Sequence, residues 1–157
     1  MREFIQKLVR HMAWADRKTL EALRTAPASH AEALPLMAHV LAAEHVWVSR
    51  ILQCELRHTV WPKLTFDECD TLAAENAAGY QSLLEGVSEE QLAAGFRYRT
   101  VQGQEFVTPM IDILMQVVTH GPYHRGQIAK IIARAGGVTT NTDYILFVRE
   151  ADPSPLR

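Results

Sequence analysis

The chain has 157 residues, of which 48% are hydrophobic and 22% charged, and its formal net charge is -2 at pH 7. The length suits one domain, residues 1–157, with enough apolar surface for its own core, and the composition excludes an intrinsically disordered protein. The near-neutral charge gives no electrostatic indication of a nucleic acid or an anionic membrane as a partner.

The two cysteines, Cys54 and Cys69, are too few for a secreted domain held together by disulfides, which makes the reducing cytoplasm the expected compartment. The first residues lack the apolar segment of a signal peptide, and no apolar run approaches the roughly 18 residues of a membrane span. We therefore expect a cytoplasmic protein without a membrane segment.

The first two predicted helices cover residues 2–25 and 35–56. Each has apolar residues at three- and four-residue steps, which predicts its buried face. Pro27 ends the first helix, and Pro35 suits the first turn of the second, where its missing N–H costs nothing. The two stripes are Phe4, Leu8, His11 and Ala15 in the first helix, and Leu36, Val40, Ala43, Trp47 and Ile51 in the second.

The third predicted helix covers residues 66–85. Thr65 and Glu68 have the spacing of a capping box, in which each side chain accepts a hydrogen bond from the other residue's free N–H. Gly86 is placed to end this helix.

The fourth predicted helix, residues 109–135, has the strongest signals. Thr108 can cap it, Pro109 fits its first position, and the pair Gly136-Gly137 ends it. Its predicted inner face consists of Ile113, Val117, Ile128, Ile131 and Ile132.

The segment between the third and fourth helices alternates apolar or aromatic with polar residues over positions 96–101, and Gly103 follows, which indicates a short hairpin or an irregular excursion. Residues 144–147 predict one short helix, and Pro153 and Pro155 end the ordered part. Four amphipathic helices in one small domain predict an all-α fold, a four-helix bundle.

Seven histidines are the most promising source of chemistry. His120 and His124 lie four residues apart in the fourth helix, so their side chains sit one above the other, near enough to share a metal ion. Their positions relative to Ile113, Val117 and Ile128 direct both toward the bundle interior. Chance alone gives roughly 0.3 such pairs, however, and two hydrogen-bonded core histidines are the alternative.

A third ligand would come from another helix. His39 lies beside the apolar stripe of the second helix, and His45 is six residues later, about 120° around the helix axis. Its position beside the stripe favours His39 over His45 as the third ligand. The preference is modest, because this helix is apolar on almost every face. His11, on the stripe of the first helix, is a further conceivable neighbour.

Pro122 lies between the two histidines of the fourth helix and removes one backbone hydrogen bond, next to the flexible Gly121. A kinked helix would still place His120 and His124 one turn apart on the same face, whereas a true break would separate them. The apolar register from Ile113 to Ile132 favours the kink.

Other chemistries lack their motifs. The segment 120–124 has no glutamate of the H-E-x-x-H metalloprotease motif, and the chain has no phosphate-binding glycine loop or nucleophile elbow. A di-iron bundle needs two Glu-x-x-His pairs, and only Glu55 and His58 have that spacing.

Several segments together resemble the DinB-like superfamily, four-helix-bundle proteins named for DNA-damage-inducible members that include bacillithiol- and mycothiol-dependent S-transferases. Trp14-Ala15-Asp16 resembles its W-A-N/D motif, residues 39–47 its H-x4-[DE]-x2-W segment, and residues 120–128 its H-x3-H-R-G-Q-[IV] signature. Gly136 and residues 143–147 resemble the usual ending. The likeness covers most of the chain.

This resemblance implies a metal site formed by His39, His120 and His124, and it selects His39 over His45. Pro122 departs from the commoner pattern, in which the residue at this position can donate a backbone hydrogen bond. The resemblance also implies a homodimer.

Three neutral imidazoles with an open position are the ligand set of a catalytic zinc, and nickel or iron would also accept them. Groups that fix the imidazoles or line a pocket are expected nearby. The candidates are Glu44, Asp16, Tyr123, Trp47 and His11.

The leading hypothesis is a metal-dependent S-transferase, in which a low-molecular-weight thiol attacks a small electrophilic substrate. The alternatives are a hydrolase that uses a metal-bound hydroxide, a metal-binding, stress-related protein without turnover, and a helical bundle with ordinary core histidines.

Overall fold

The computed structural model describes residues 1–100 and 102–151, and 71% of these residues are helical. Its long helices are α1 (Arg2–Arg24), α2 (His30–Leu52), α3 (Phe66–Gly86) and α5 (Met110–Arg134), with the short helices α4 (Glu89–Ala93) and α6 (Tyr144–Glu150). The strands β1 (Gly95–Arg99) and β2 (Glu105–Pro109) form an antiparallel hairpin between α4 and α5. The mostly helical fold confirms the all-α expectation. Val101, Pro153 and Pro155 lie outside the described residues.

The four long helices pack in a ring, with α1 on α3, α3 on α2, α2 on α5 and α5 on α1. Two apolar clusters fill the space between them. The first includes Ile5, Met12, Val48, Tyr80, Leu84, Ile113 and Val117. The second includes Leu20, Leu23, Met37, Leu41, Leu72, Ile128 and Ile132. Helices α1 and α5 run from the first cluster to the second, whereas α2 and α3 run the opposite way.

The parallel course of α2 and α3 has a consequence for the chain between them. Helix α2 ends beside the first cluster and α3 begins beside the second, so residues 53–65 return along the length of α2. Eight extended residues span about 26 Å, enough to reach from Leu52 back to the level of His39. This returning connection lies against α2 where the histidines are.

Three helix boundaries differ from the prediction. Helix α2 ends at Leu52, four residues before the predicted end at residue 56. Helix α2 begins at His30, so Pro35 lies inside it, and the carbonyl that loses its partner is on the exposed Ala31 in the first turn. Thr108 is in β2, opposite Phe96, and does not cap α5, whose N-cap is Pro109 without a side-chain hydrogen bond. The strand continues to the helix, which leaves no free residue for a cap.

The other predicted signals are observed. Thr65 and Glu68 form the capping box of α3, which ends at Gly86. Gly136 ends the turn after α5 with φ +78°, in the left-handed region that favours glycine. No helix within residues 1–100 and 102–151 combines the length and apolar character needed to cross a membrane.

The predicted stripes of α1 and α2 are confirmed in part. His11, Ala15, Val40 and Ile51 are buried as predicted. Phe4 is 60% exposed, and Leu8, Leu36, Ala43 and Trp47 are only half-buried, so the predicted faces are rotated from the core by about one position. The stripe that faces the core is Ile5, Val9, Met12 and Asp16 in α1, and Met37, Leu41, Glu44 and Val48 in α2. Each helix carries one buried acidic residue on this stripe. A search for apolar periodicity counts only apolar residues and therefore misses these two positions.

Candidate metal centre

Helices α2 and α5 bring three histidines together. The candidate ligand atoms of His39, His120 and His124 all lie within 4.8 Å of one another. The ring centroids of His39 are 5.1 Å from His120 and 4.9 Å from His124, and those of the α5 pair are 4.7 Å apart. These are the three residues that the sequence motifs indicate.

The α5 pair keeps its spacing because α5 is continuous through Pro122. The helix runs from Met110 to Arg134 with Pro122 inside it and exposed. A break at this position, one of the two expectations, is therefore excluded. His120 and His124 remain one helical turn apart on the side of α5 that faces α2.

Hydrogen bonds fix which nitrogen of His39 and of His124 faces the cluster. His39 Nδ1 donates to the carbonyl oxygen of Val60 at 2.7 Å, which leaves Nε2 free to bind a cation. His124 Nδ1 lies 3.1 Å from Gln127 Oε1, and its Nε2 lies 3.2 Å from His120 Nε2. Such partners on the far nitrogen orient a histidine that binds a metal.

Burial favours the neutral form of His39 and His120, the form in which a histidine binds a metal. The pKa of His120 falls to about 4, first because burial disfavours its charged form and then because His124 and His39 are close. Burial also lowers the pKa of His39, against the hydrogen bond to Val60, which raises it.

The cluster fits a divalent metal ion. Tetrahedral zinc with Zn–N bonds of about 2.1 Å holds its nitrogens roughly 3.4 Å apart, close to the Nε2–Nε2 distance of the α5 pair. Within the described residues, no cysteine or carboxylate joins the three histidines. A bound dication would therefore keep its full charge and have open coordination positions.

Two aromatic side chains stand at the edge of the histidine cluster. The indole of Trp61 lies parallel to His39, with ring centroids 3.7 Å apart and an interplanar angle of 8°. The ring of Tyr123 meets His124 edge-on at 5.0 Å. Trp61 comes from the returning connection, and Tyr123 comes from α5.

A buried polar layer lies behind the cluster, and each long helix contributes one residue: Asp16, Glu44, Asn76 and Arg125. Along each helix, this residue separates the part in the first apolar cluster from the part in the second. Arg125 Nη1 donates to Asp16 Oδ1 at 2.7 Å. Asn76 Nδ2 donates to Leu41 O at 2.8 Å and to Glu44 Oε2 at 3.3 Å.

Glu44 is the acid of this layer whose pKa is raised. Burial and the negative charge of Asp16 raise its pKa well above the usual range, against the opposing charge of Arg125. Glu44 Oε2 accepts from Asn76, whereas Oε1 is buried without a hydrogen-bond partner. A proton on this carboxyl group would lower the cost of burying it beside Asp16.

A comparison with known proteins decides the family. The model of the DinB family matches residues 1–155. The chain belongs to the DinB family. Protein DinB from Bacillus subtilis (strain 168) is 27% identical over 170 aligned positions, which cover 94% of this chain and 95% of that relative. No solved structure matches the chain.

Four of the five other candidates of this DinB-family chain, all except Tyr123, lie apart from the three histidines. Asp16 and Glu44 belong to the polar layer, and neither joins the histidine cluster. His11 Nε2 contacts the carbonyl oxygen of Thr142 at 2.8 Å, and its ring packs against α6. Trp47 packs edge-on against Tyr98 of the hairpin, with Arg50 above its ring. Of the five, only Tyr123 touches a histidine of the cluster.

Sequence reasoning missed the parts of the site that depend on tertiary structure. Val60 and Trp61 reach His39 only because the connection returns along α2. Asn76 carries no motif. Arg125 is part of the H-R-G-Q signature, but its pairing with Asp16, 109 positions away, has no signal in one sequence.

The side chain of Arg125 passes close to the backbone at position 121, where a glycine fits without a clash. A Cβ at this position would lie 2.5 Å from Arg125 Nη1, so we expect Gly121→Ala to lower the free energy of unfolding by about 1–3 kcal/mol. In an Arg125→Met background, the same change should be neutral or stabilising by up to about 1 kcal/mol, because alanine favours a helix. Urea unfolding of the four variants measures both effects, and an equal penalty in both backgrounds would contradict the steric explanation.

Proposed function

We propose that this protein is a divalent-metal-dependent S-transferase, in which a low-molecular-weight thiol attacks a small electrophile. His39, His120 and His124 are the proposed ligands, with zinc as the first metal to test and nickel or iron as alternatives. The site lies between the second and last long helices of what we interpret as a four-helix bundle.

The observation that carries the proposal is a cluster of three imidazoles that no cysteine or carboxylate of the described residues joins. The histidine cluster therefore supplies no nucleophile of its own. A dication held there has uncompensated charge, which favours an anionic ligand from outside, and a thiolate is a good ligand for zinc.

The metal would supply Lewis acidity, which lowers the pKa of a bound thiol so that it ionises at neutral pH. In the proposed reaction, the thiol proton goes to solvent and the sulfur forms a bond to the electrophilic carbon. The bond from that carbon to the leaving group breaks, and the leaving group departs with the electron pair. The chain's own contribution is to hold the imidazoles of His39 and His124 in orientation through Val60 and Gln127.

Metal content tests the site first. Elemental mass spectrometry of the untagged protein should find about one divalent ion per chain, and His124→Ala should lose it while keeping its helical circular dichroism. His30→Ala is the matched control, because His30 is also half-buried and contacts a carbonyl oxygen, that of Leu23 at 2.9 Å. Equal metal content in the two variants would refute the ligand assignment.

Thiol dependence tests the reaction. We expect the metal-loaded protein to accelerate the release of chloride from 1-chloro-2,4-dinitrobenzene by one or more thiols in a panel, with a rate that saturates with thiol. The His124→Ala variant should react at the uncatalysed rate. Turnover of activated esters without any thiol would instead identify a hydrolase, and absence of turnover in both assays would identify a metal-binding protein without this activity.

A further inference from the structure

We infer that Trp61 and Tyr123 form a binding wall for the apolar, planar part of the substrate, whose anionic donor atom binds the metal. This inference rests on the metal-binding part of the proposed function and names the class of ligand that the site accepts: a flat, preferably aromatic compound with an anionic head.

The first argument is the exposure of the two rings. Trp61 is 58% exposed and Tyr123 is 68% exposed, whereas Trp14 and Tyr80 are buried. Large aromatic side chains contribute most when they are buried, so exposed rings that adjoin one site indicate a binding surface. Each of these rings already contacts a histidine with one part of its surface and leaves the rest open to solvent.

The second argument is the position of the rings relative to the ion. The indole of Trp61 is parallel to His39, so it forms a wall beside the point at which Nε2 would hold a cation. Tyr123 contacts His124, which belongs to the other helix of the site. A ligand attached to the ion therefore has an aromatic surface near both helices that supply the imidazoles.

The third argument is charge. The ligand histidines carry no compensating negative charge, and no carboxylate of the described residues joins them. An ion in the site would attract an anionic head, while the rings at the edge favour an apolar body. The two preferences together select compounds such as aryl thiolates or aryl carboxylates over small hydrophilic anions.

Two hydroxamates test the wall without any turnover, because they share one metal-binding group and differ only in the body. Acetohydroxamate and benzohydroxamate are titrated into cobalt-loaded protein, and the visible cobalt absorption reports binding. We expect benzohydroxamate to bind about tenfold more tightly than acetohydroxamate, the combined effect of contacts with two rings. In Trp61→Ala/Tyr123→Ala, this ratio should fall below about twofold, with the dissociation constant of acetohydroxamate nearly unchanged.

Phe4→Ala is the matched control, since Phe4 is an aromatic residue of similar exposure, 60%, near the chain start on α1. It should keep the full preference for benzohydroxamate. Equal affinities of the wild type for the two hydroxamates, or a preference that survives the double substitution, would overturn the wall and leave the metal site intact. Failure of the wild type to bind cobalt would overturn the proposed function itself.

Discussion

Arg125→Met is expected to lower the free energy of unfolding by about 3–5 kcal/mol, because it strands a buried carboxylate without its cation. Arg125 and Asp16 are 2% and 3% exposed at their side chains, and the ion pair joins α5 to α1. Glu44 packs against the same carboxylate, so the variant would bury two acids together. Urea unfolding of metal-free protein at neutral pH measures the loss.

Two variants separate this charge effect from a general loss of packing. Arg24→Met removes the cation of a surface pair with Asp70, whose side chains are 63% and 52% exposed, and should cost less than about 1 kcal/mol. Adding Asp16→Asn to Arg125→Met removes the stranded charge at nearly the same volume and should recover a large part of the stability. If this second substitution lowers stability further, the stranded charge is not the cause.

Glu44→Gln is expected to stabilise the metal-free protein at neutral pH by at least about 1 kcal/mol. A rise of about one unit in the pKa of Glu44 on folding already corresponds to about 1.4 kcal/mol. Burial and Asp16 raise the pKa of Glu44 in the folded state, so the folded protein binds a proton that the unfolded chain releases. The contribution of Glu44 to the free energy of unfolding is fully present below the pKa that it has in the unfolded chain. This contribution falls as the pH rises toward the pKa that Glu44 has in the folded protein. Glutamine resembles the neutral acid and does not titrate.

The pH dependence is the decisive readout for Glu44. The stability difference between Glu44→Gln and the wild type should be smallest near pH 4 and increase toward pH 8. Glu75→Gln provides a control of opposite sign, because a hydrogen bond and ion pair with Arg57 lower the pKa of Glu75 at the surface. A constant difference for Glu44→Gln across this range would show that the carboxyl group does not hold its proton.

The helices of this chain could be predicted from sequence because their signals are local. The capping box at Thr65, the glycine stop at Gly136 and the apolar period of α5 each involve residues within one or two turns. The faces of α1 and α2 were harder to predict. Asp16 and Glu44 occupy core positions, and a search for apolar residues therefore shifts the stripe toward neighbours such as Leu8 and Trp47.

The same limit applies to the site. The spacing of His120 and His124 is a local signal, and the family motifs add His39, which apolar periodicity could not separate from His45. The contacts of His45 are with Ser49 and His58, away from the cluster. Trp61 and Val60 depend on the route of the connection, which is a property of topology and not of their own neighbourhood in sequence.

The polar layer also gives the helices a register. Each long helix has its residue of the polar layer between two apolar stretches, so sliding any helix by one turn, about 5.4 Å, would place a charge or an amide among leucines and isoleucines. Only one axial alignment satisfies all four helices at once, and competing packings of the same apolar surfaces are disfavoured. Since His39 is on α2 and the other two histidines are on α5, this alignment also sets the axial distance between them before any ion arrives.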